Sequence, residues 1–173
     1  MRTCPFCHEN HDVMIDCEPM KKSLARMRAK MDAYKKEKLD EEHEWPIQEH
    51  VVKLWKAHGF PCAVCRGMVA LCGYVQVPKG HPAYGKWYDD VDVDVHGGLT
   101  FAQRTKDGHW LGFDCGHFGD WWGTVENGHG FEHPGKIWTV EDVVQETENL
   151  ARQFAEMAVA GANDTRKESQ DGQ

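Results

Sequence analysis

The stretch Cys72–Trp122 constrains the fold more than any other part of the chain. It contains the run Val91–His96, VDVDVH, in which apolar and polar residues alternate strictly. In an extended chain successive side chains point to opposite faces, so the valines lie on one face and the polar residues on the other. The run therefore predicts a β-strand with one buried face and one polar face.

A hairpin is predicted directly after this run. Asp107-Gly108 separates two segments rich in β-branched and aromatic residues, and Asp-Gly is typical of two-residue loops whose residues both need positive φ. The predicted cross-strand pairs are Arg104 with Leu111, Ala102 with Phe113, Thr100 with Cys115 and Phe101 with Asp114.

The residues on the apolar face of the first hairpin strand have even numbers, whereas the valines of the preceding run have odd numbers. Without an inserted residue the two segments would turn their apolar side chains to opposite faces. A glycine bulge at Gly97-Gly98 would give the two halves one core face. Phe101, Gln103 and Gly112 would then lie on the polar face, with a gap at Gly112. The residues expected around one hollow are His96, Asp114, His117 and Asp120.

Two kinds of chemistry fit these four residues. His96 or His117 could act as a general base oriented by Asp114 or Asp120, or the four side chains could hold a divalent metal ion. A His–Asp pair is more often structural, so the enzyme assignment stays open. Glycine, histidine and aromatic residues nearby favour contact with a ligand. The expected ligand-binding residues are His81, Tyr84, Gly97, Gly98, Phe101, Gly112, Trp121 and Trp122.

A family resemblance rests on two long motifs. They read CGYVQVPKGHPAYGKWYDDVDVDVHGGLTF and WLGFDCGHFGD. With these motifs the chain resembles a family of small, uncharacterised proteins, mostly of phages and prophages, over residues 59–122 and the helix at 140–157. The resemblance implies a phage or prophage origin and supplies no catalytic residues. Residues 1–58 contribute nothing to it.

The N-terminal segment has the spacing of a zinc knuckle. Cys4 and Cys7 form a C-x2-C pair, and His11 and Cys17 follow closely, so these four could close a structural zinc site. Cys62 and Cys65 offer a second C-x2-C pair that could join Cys4 and Cys7 instead. A third interpretation is that all of these cysteines are free thiols.

Three helices are predicted. The first runs from Pro19 to about Leu39, is strongly basic, and carries an apolar stripe over residues 20–34 that could support a homodimer. The second begins at Pro46 and ends at Gly59. The third begins at Thr139 with a sequence resembling a capping box, ends at Gly161, and should cover the core face of the sheet.

Composition and charge limit the possible partners. The net charge is −8, with eight Lys/Arg against two acids in residues 19–39 and eleven against twenty-two in residues 40–173. An acidic body repels nucleic acid. No run is long and apolar enough for a membrane span, and seven cysteines fit a reducing compartment. We therefore expect a cytoplasmic protein whose main domain binds neither membrane nor nucleic acid.

The predicted fold class is α+β, a small and mainly antiparallel sheet covered by a C-terminal helix, with N-terminal helices and a zinc knuckle. The predicted divisions are a knuckle-like leader (1–18), a basic helix (19–45), an α+β pocket domain (46–161) and a disordered tail (162–173). Three functions compete. In the first, the protein binds a small, nucleotide-like ligand in a pocket and thereby antagonises host defence. In the second, it is a metal-assisted hydrolase that acts on such a ligand. In the third, it is a zinc-scaffolded module that binds a protein or nucleic acid.

Overall fold

The computed structural model describes residues 2–3, 10–11, 18–40, 50–120 and 135–170 of the 173-residue chain. The chain forms two compact units, Met1–Asp40 and Glu41–Gln173. Within the described residues, every helix is too short or too polar to cross a membrane.

The described residues of the first unit form a small strand pair and one long helix. Strands β1 (Arg2–Thr3) and β2 (Asn10–His11) pair antiparallel, with Arg2 opposite His11. Helix α1 (Glu18–Asp40) confirms the predicted basic helix. Cys4, Cys7 and Cys17 lie outside the described residues, as does the side chain of His11, so the zinc knuckle stays a prediction.

The second unit contains a five-stranded antiparallel sheet. Its strands are β3 (Val51–Ala57), β4 (Phe60–Arg66), β5 (Leu71–Val77), β6 (Phe101–Thr105) and β7 (Gly108–Asp114). They lie in the order β3-β4-β5-β7-β6, so the long segment between β5 and β6 returns the chain to the far edge of the sheet. With the helices, this arrangement confirms the predicted α+β class.

The predicted helix from Pro46 to Gly59 is wrong where the structure describes it, because residues 51–57 form strand β3. His58 and Gly59 join β3 to β4 with φ values of 50° and 90°. Positive φ at both loop residues is the geometry of a type I′ hairpin turn. Gly59 therefore serves the turn and does not cap a helix. The β-branched and aromatic residues Val51, Val52 and Trp55 favour the strand.

Helix α2 (Val140–Gln170) packs against β4 and β5 and covers one face of the sheet, as predicted. Its start is confirmed as a capping box, since the Thr139 amide donates to Asp142 Oδ2 at 2.9 Å and the Asp142 amide donates to Thr139 Oγ1 at 3.1 Å. The helix does not end at Gly161 as predicted but continues to Gln170, into the segment assigned from sequence to a disordered tail (162–173). Beyond Gly161 lie the good helix formers Ala162, Arg166, Lys167 and Glu168.

The contact between α2 and the sheet is very close at Gly73 on β5. A Cβ atom at Gly73 would overlap Thr147 Oγ1 and the ring of Phe113. Phe113 and Phe154 are fully buried at this interface, together with Leu111 and Leu150. The missing side chain at Gly73 is what allows the helix to approach the sheet and close the core.

The run 91–96 is not a strand of the sheet, contrary to the prediction. Its alternation does hold, since Val91 and Val95 are buried and Asp92 and Asp94 are exposed. Side chains of α2 satisfy its backbone in place of a neighbouring strand. The Asp94 amide donates to Gln153 Oε1 at 2.8 Å, the Gln153 amide returns a bond of 2.8 Å to the Asp94 carbonyl, and Asn149 Nδ2 donates to the same carbonyl at 3.2 Å.

Residues 95–98 form a tight turn with His96 and Gly97 at its centre, so the predicted glycine bulge within a continuous strand is wrong. The φ values of Gly97 and Gly98 are 66° and 80°, and the Gly98 amide donates to the Val95 carbonyl at 2.9 Å. The turn reverses the chain before β6 begins at Phe101. A turn changes the direction of the chain more than a bulge would, and it delivers His96 to the end of the sheet beside the loop that follows β7.

The β6–β7 hairpin exists, but its predicted register is wrong by two residues. The loop is Lys106-Asp107, so Thr105 pairs with Gly108 and Arg104 pairs with His109. Gly108 is needed for a different reason, because a Cβ there would approach the Val77 carbonyl oxygen to 2.9 Å. A shift of two residues keeps every side chain on its predicted face, since strands have a period of two.

Candidate metal centre

Four side chains meet at the end of the sheet where β7 ends. His96 lies within the turn at residues 95–98, Asp114 is the last residue of β7, and His117 and Asp120 lie in the following loop. We call these four residues the histidine–aspartate cluster. The sequence predicted this grouping, and the structure brings all four side chains together.

The loop after β7 is fixed at both ends by backbone hydrogen bonds. The Cys115 amide donates to the Leu71 carbonyl at 3.0 Å, and the Asp120 amide donates to the His117 carbonyl at 2.9 Å. Asp114 Oδ1 accepts a bond of 2.9 Å from the Gly116 amide. A short loop held in this way keeps both carboxylates near Nδ1 of the His117 ring.

Asp120 is the most strongly bound member of the cluster. Its side chain is 4% exposed and accepts three hydrogen bonds, from His96 Nε2 at 2.7 Å, from the His117 amide at 2.9 Å and from Trp138 Nε1 at 2.9 Å. Burial acts to raise the pKa of Asp120 and is the largest single influence. The three donors together outweigh it, so the pKa lies below the usual aspartate value and the group stays ionised.

His96 is positioned through its backbone and through its ring. Its amide donates to Glu146 Oε1 of α2 at 2.7 Å. Its ring lies 4.4 Å from the Trp138 ring and 5.2 Å from the His117 ring, measured between centroids. Because an ionised carboxylate can only accept, His96 Nε2 carries the proton in its bond to Asp120.

His117 has the least satisfied polar atom of the cluster. Its Nδ1 is buried and has no hydrogen-bond partner among the described residues. That atom lies 3.8 Å from Asp120 Oδ2 and 3.9 Å from Asp114 Oδ1. These separations are too long for hydrogen bonds. The nitrogen therefore faces two carboxylates across a gap.

Gly97 allows His117 to take this position. A Cβ atom at Gly97 would overlap the His117 ring, and the positive φ of 66° also favours glycine. The neighbouring Gly98 has no atom within 4 Å of the place where its Cβ would be. Of the two glycines, Gly97 is thus the one that shapes the cluster.

Three of the four side chains could hold a metal ion. One ligand atom each from His96, His117 and Asp120 lies within 4.8 Å of the others. A tetrahedral zinc site with bonds of about 2.1 Å places its ligand atoms about 3.4 Å apart. The 2.7 Å bond between His96 and Asp120 would have to open slightly, and the 3.8 Å gap between His117 and Asp120 would have to close slightly.

The other predicted ligand-binding residues do not all join the cluster. Gly97 and Gly98 lie beside it. Phe101 and Gly112 are cross-strand neighbours in the sheet, but the expected gap at Gly112 is filled by the ring of Tyr74, which a Cβ there would overlap. The predicted hollow therefore does not extend along the sheet. Trp121 and Trp122 lie outside the described residues.

His81 and Tyr84 have structural contacts. His81 is buried, donates from Nε2 to the Phe154 carbonyl at 2.9 Å and accepts at Nδ1 from the Ala83 amide at 3.1 Å, so both of its nitrogens are used within the fold. Tyr84 packs its ring against His109 and lies under the Arg104 guanidinium. The core therefore occupies both polar atoms of His81, and its expected contact with a ligand stays a prediction.

Cys62 and Cys65 cannot together ligate one ion as the predicted second C-x2-C pair. Both lie on strand β4, where residues three apart point to opposite faces. Cys65 belongs to a buried cluster with Ala63, Tyr74 and Trp110 on one face, and Cys62 lies on the other. Burial raises the pKa of Cys62 to about 11 and that of Cys65 to about 12, so both stay protonated thiols.

Two contributors to the site were missed by sequence reasoning. Trp138 binds Asp120 and packs on His96, and only its place in a tryptophan-rich segment hinted at a role. Glu146 holds the His96 amide from α2. No local pattern indicates this contact, because it depends on how the helix is aligned with residues 94–96.

No protein-family model matches this chain, and no curated protein or solved structure is significantly similar to it.

Proposed function

We propose that this protein binds one divalent transition-metal ion through His96, His117 and Asp120 and uses the ion to capture a small anionic, nucleotide-like ligand. The observation that carries the proposal is the position of His117 Nδ1. It is a buried nitrogen without a hydrogen-bond partner among the described residues, 3.8 Å and 3.9 Å from two carboxylates. Burying an unpaired polar atom costs free energy, and a bound cation would remove that cost.

The ligand set favours a metal of the zinc type. Imidazole nitrogen suits zinc and similar ions, whereas calcium and magnesium prefer oxygen ligands. Three protein ligands leave at least one coordination position for water or for an incoming oxygen. Trp138 and Glu146, which contact Asp120 and His96, would act as the outer contacts that hold metal ligands in place.

A metal ion is also what would let an acidic protein bind an anion. The chain carries a net charge of −8, which repels phosphates at long range. A divalent cation reverses the charge locally and can accept a phosphate oxygen. The resemblance to phage and prophage proteins supports a role in which a nucleotide-like host signal is sequestered and host defence is antagonised.

Metal-assisted hydrolysis of such a ligand is the second candidate, and the position of Asp114 favours it. Its carboxylate lies 3.9 Å from His117 Nδ1, is 37% exposed, and is held by Thr100 Oγ1 and the Gly116 amide, each at 2.9 Å. It is therefore placed to take a proton from a water bound to the ion. In this scheme Asp114 is the base, and His96, His117 and Asp120 are the metal ligands.

A second, structural zinc site is proposed for the leader, with Cys4, Cys7, His11 and Cys17 as ligands. Pairing of Thr3 with Asn10 brings together the two ends of the segment that contains Cys4 and Cys7, as a knuckle requires. Four protein ligands would fill this site and leave no position for a substrate.

Cobalt substitution of the full-length protein tests both sites. Cysteine ligands give a strong sulfur-to-cobalt charge-transfer band, whereas a His/Asp site gives only weaker visible bands. We expect wild type to bind two ions and His117→Ala to bind one, with the sulfur band unchanged. Asp92→Asn, which removes an exposed acid from the segment before His96, should still bind two. Equal stoichiometry in wild type and His117→Ala would refute the metal site at the cluster.

Ligand binding is tested with the metal-loaded protein and ATP as the probe. We expect ATP to bind the zinc-loaded wild type and to bind His117→Ala at least tenfold more weakly. ATP recovered intact supports capture, and release of phosphate that is lost in Asp114→Asn supports hydrolysis. Zinc-loaded protein that retains zinc at the cluster but binds no ATP would contradict the nucleotide-like ligand.

A further inference from the structure

Helix α1 carries an apolar stripe that is exposed at three of its five residues. Met27, Met31 and Tyr34 are 64%, 51% and 48% exposed, and they follow Met20 and Leu24 at alternating spacings of three and four residues. This is the spacing of the seam in a coiled coil. An exposed stripe of this kind marks a surface on which another helix can pack.

The charges beside the stripe are unequal and mostly positive. Lys21, Arg28 and Lys35 are spaced seven residues apart and form a basic row along one edge of the stripe. On the other edge lie Ser23, Lys30 and Glu37. Lys21 has an exposed ion pair with Glu18 at 3.2 Å, which contributes little. The edges of a coiled-coil seam are the positions that determine the choice of partner.

Pairing of two copies of α1 would place like charges together. In an antiparallel pair the basic row of one copy would lie along the basic row of the other. In a parallel pair Lys35 of one copy would face Lys30 of the other. Like charges at these positions oppose association, so the expected homodimer through residues 20–34 is disfavoured in both orientations.

We propose that α1 is a docking site for an amphipathic helix of another protein with apolar residues at heptad spacing and Asp or Glu along its edges. The apolar stripe would become buried against the apolar face of that helix. The basic row would lie beside its Asp and Glu side chains. A membrane surface fits less well, because the stripe is one seam wide and interfacial helices need a broad apolar face. Nucleic acid would match the charge but would leave Met27 and Met31 without a use.

The test uses the full-length protein and two synthetic heptad peptides with leucine at the core positions. One has glutamate at the edge positions, and the other has lysine. We expect fluorescence anisotropy to detect binding of the acidic peptide and to find binding of the lysine peptide at least tenfold weaker. The affinity for the acidic peptide should fall as salt is raised.

Charge-reversal variants give the matched control. The triple variant Lys21→Glu, Arg28→Glu and Lys35→Glu should lose at least tenfold in affinity for the acidic peptide and gain affinity for the lysine peptide. The triple variant Lys22→Glu, Arg26→Glu and Lys36→Glu changes the net charge equally but away from the basic row. It should stay within about threefold of wild type.

Three outcomes would overturn the proposal. The first is that the two triple variants lower the affinity for the acidic peptide equally. The second is that duplex RNA or vesicles of anionic phospholipid bind wild type more tightly than the acidic peptide does. The third is that wild type alone is a dimer at micromolar concentration and that the double variant Met27→Gln, Met31→Gln makes it a monomer. Circular dichroism of each variant shows whether the helix is retained.

Discussion

His96 and Asp120 are joined by a 2.7 Å hydrogen bond although 24 positions separate them in the sequence. The bond links the segment held by helix α2 to the loop that follows β7. It keeps the imidazole and the carboxylate within the distance that a shared metal ion would require. Variants that disturb this bond should therefore affect both stability and the proposed metal binding.

Replacing Asp120 by asparagine should destabilise the fold and weaken the site. An amide has one acceptor oxygen in place of two, so at least one of the donors His96 Nε2, His117 amide and Trp138 Nε1 loses its partner. We expect the free energy of unfolding to fall by about 1–3 kcal/mol. Urea denaturation of metal-free protein measures it. Asp92→Asn, which changes an exposed side chain in the segment before His96, should change the free energy of unfolding by less than about 0.5 kcal/mol.

Replacing Gly97 by alanine should disturb the cluster more than the same change at Gly98. Both positions have positive φ, so both variants carry backbone strain of about 1 kcal/mol. Only at Gly97 would the new Cβ overlap the His117 ring. We expect an additional loss of about 1–3 kcal/mol and a weaker metal affinity for Gly97→Ala. Equal unfolding curves and equal cobalt affinities for the two variants would contradict the packing described for His117.

Replacing Trp138 by phenylalanine should weaken metal binding without removing a ligand. The variant keeps an aromatic ring beside His96 but loses the Nε1 donor to Asp120 Oδ1. Loss of an outer contact of this type costs about 10–100-fold in metal affinity. Competition with a colorimetric zinc chelator measures the change. Trp55→Phe on β3, which β4 and β5 separate from β7 in the sheet, should leave the affinity unchanged.

Mild acid should destabilise the protein through His109. This side chain is fully buried, and its Nδ1 accepts from the Gly85 amide at 2.7 Å. Burial, aided by the Arg104 charge, lowers its pKa to about 4. The unfolded chain binds a proton near pH 6.5 and the folded chain does not, so stability falls as pH drops from 6.5 to 4. The loss reaches about 3 kcal/mol.

His109→Gln tests the origin of that loss. A glutamine can accept from the Gly85 amide but does not titrate, so its unfolding free energy should depend less on pH in this window. Burial also lowers the pKa of His81, which contributes in the same direction and remains in the variant. A variant with the full pH dependence of wild type would show that His109 is not the group responsible.

The thiols of Cys62, Cys65 and Cys115 should be inert in the folded protein. Burial raises the pKa of Cys62 to about 11 and the pKa values of Cys65 and Cys115 to about 12. Thiolate is the reactive form, so iodoacetamide at pH 7.5 should label these residues only after unfolding. Peptide mass spectrometry follows each cysteine. Rapid labelling of native Cys65 would contradict its place in the core.

The cluster could be predicted because its members follow from parity and glycine. The alternation at Val91–His96 places His96 on the face away from the core, and Gly97-Gly98 indicates a change in backbone direction there. These local signals are enough to bring His96 near the loop after β7. They do not distinguish a bulge from a turn, since glycine favours both. The predicted bulge was therefore wrong, although the residues predicted to lie near His96 were right.

Strand β3 was missed because its pattern is ambiguous. Val51, Leu54 and Trp55 fall at helical spacing, yet the same residues favour strands when a hairpin turn follows at His58-Gly59. The contacts of His81, Tyr84 and Gly112 could not be predicted either. Each is determined by a residue far away in sequence, namely Phe154, His109 and Tyr74.

Helix α2 holds residues 94–96 by their amides and carbonyls, through Glu146, Asn149 and Gln153. These hydrogen bonds are made to backbone atoms, so they do not depend on the side chains of residues 94–96. The exposed residues at positions 92 and 94 can therefore be substituted while the imidazole of His96 keeps its place. Evolution can thus vary the surface beside the histidine–aspartate cluster without altering the cluster.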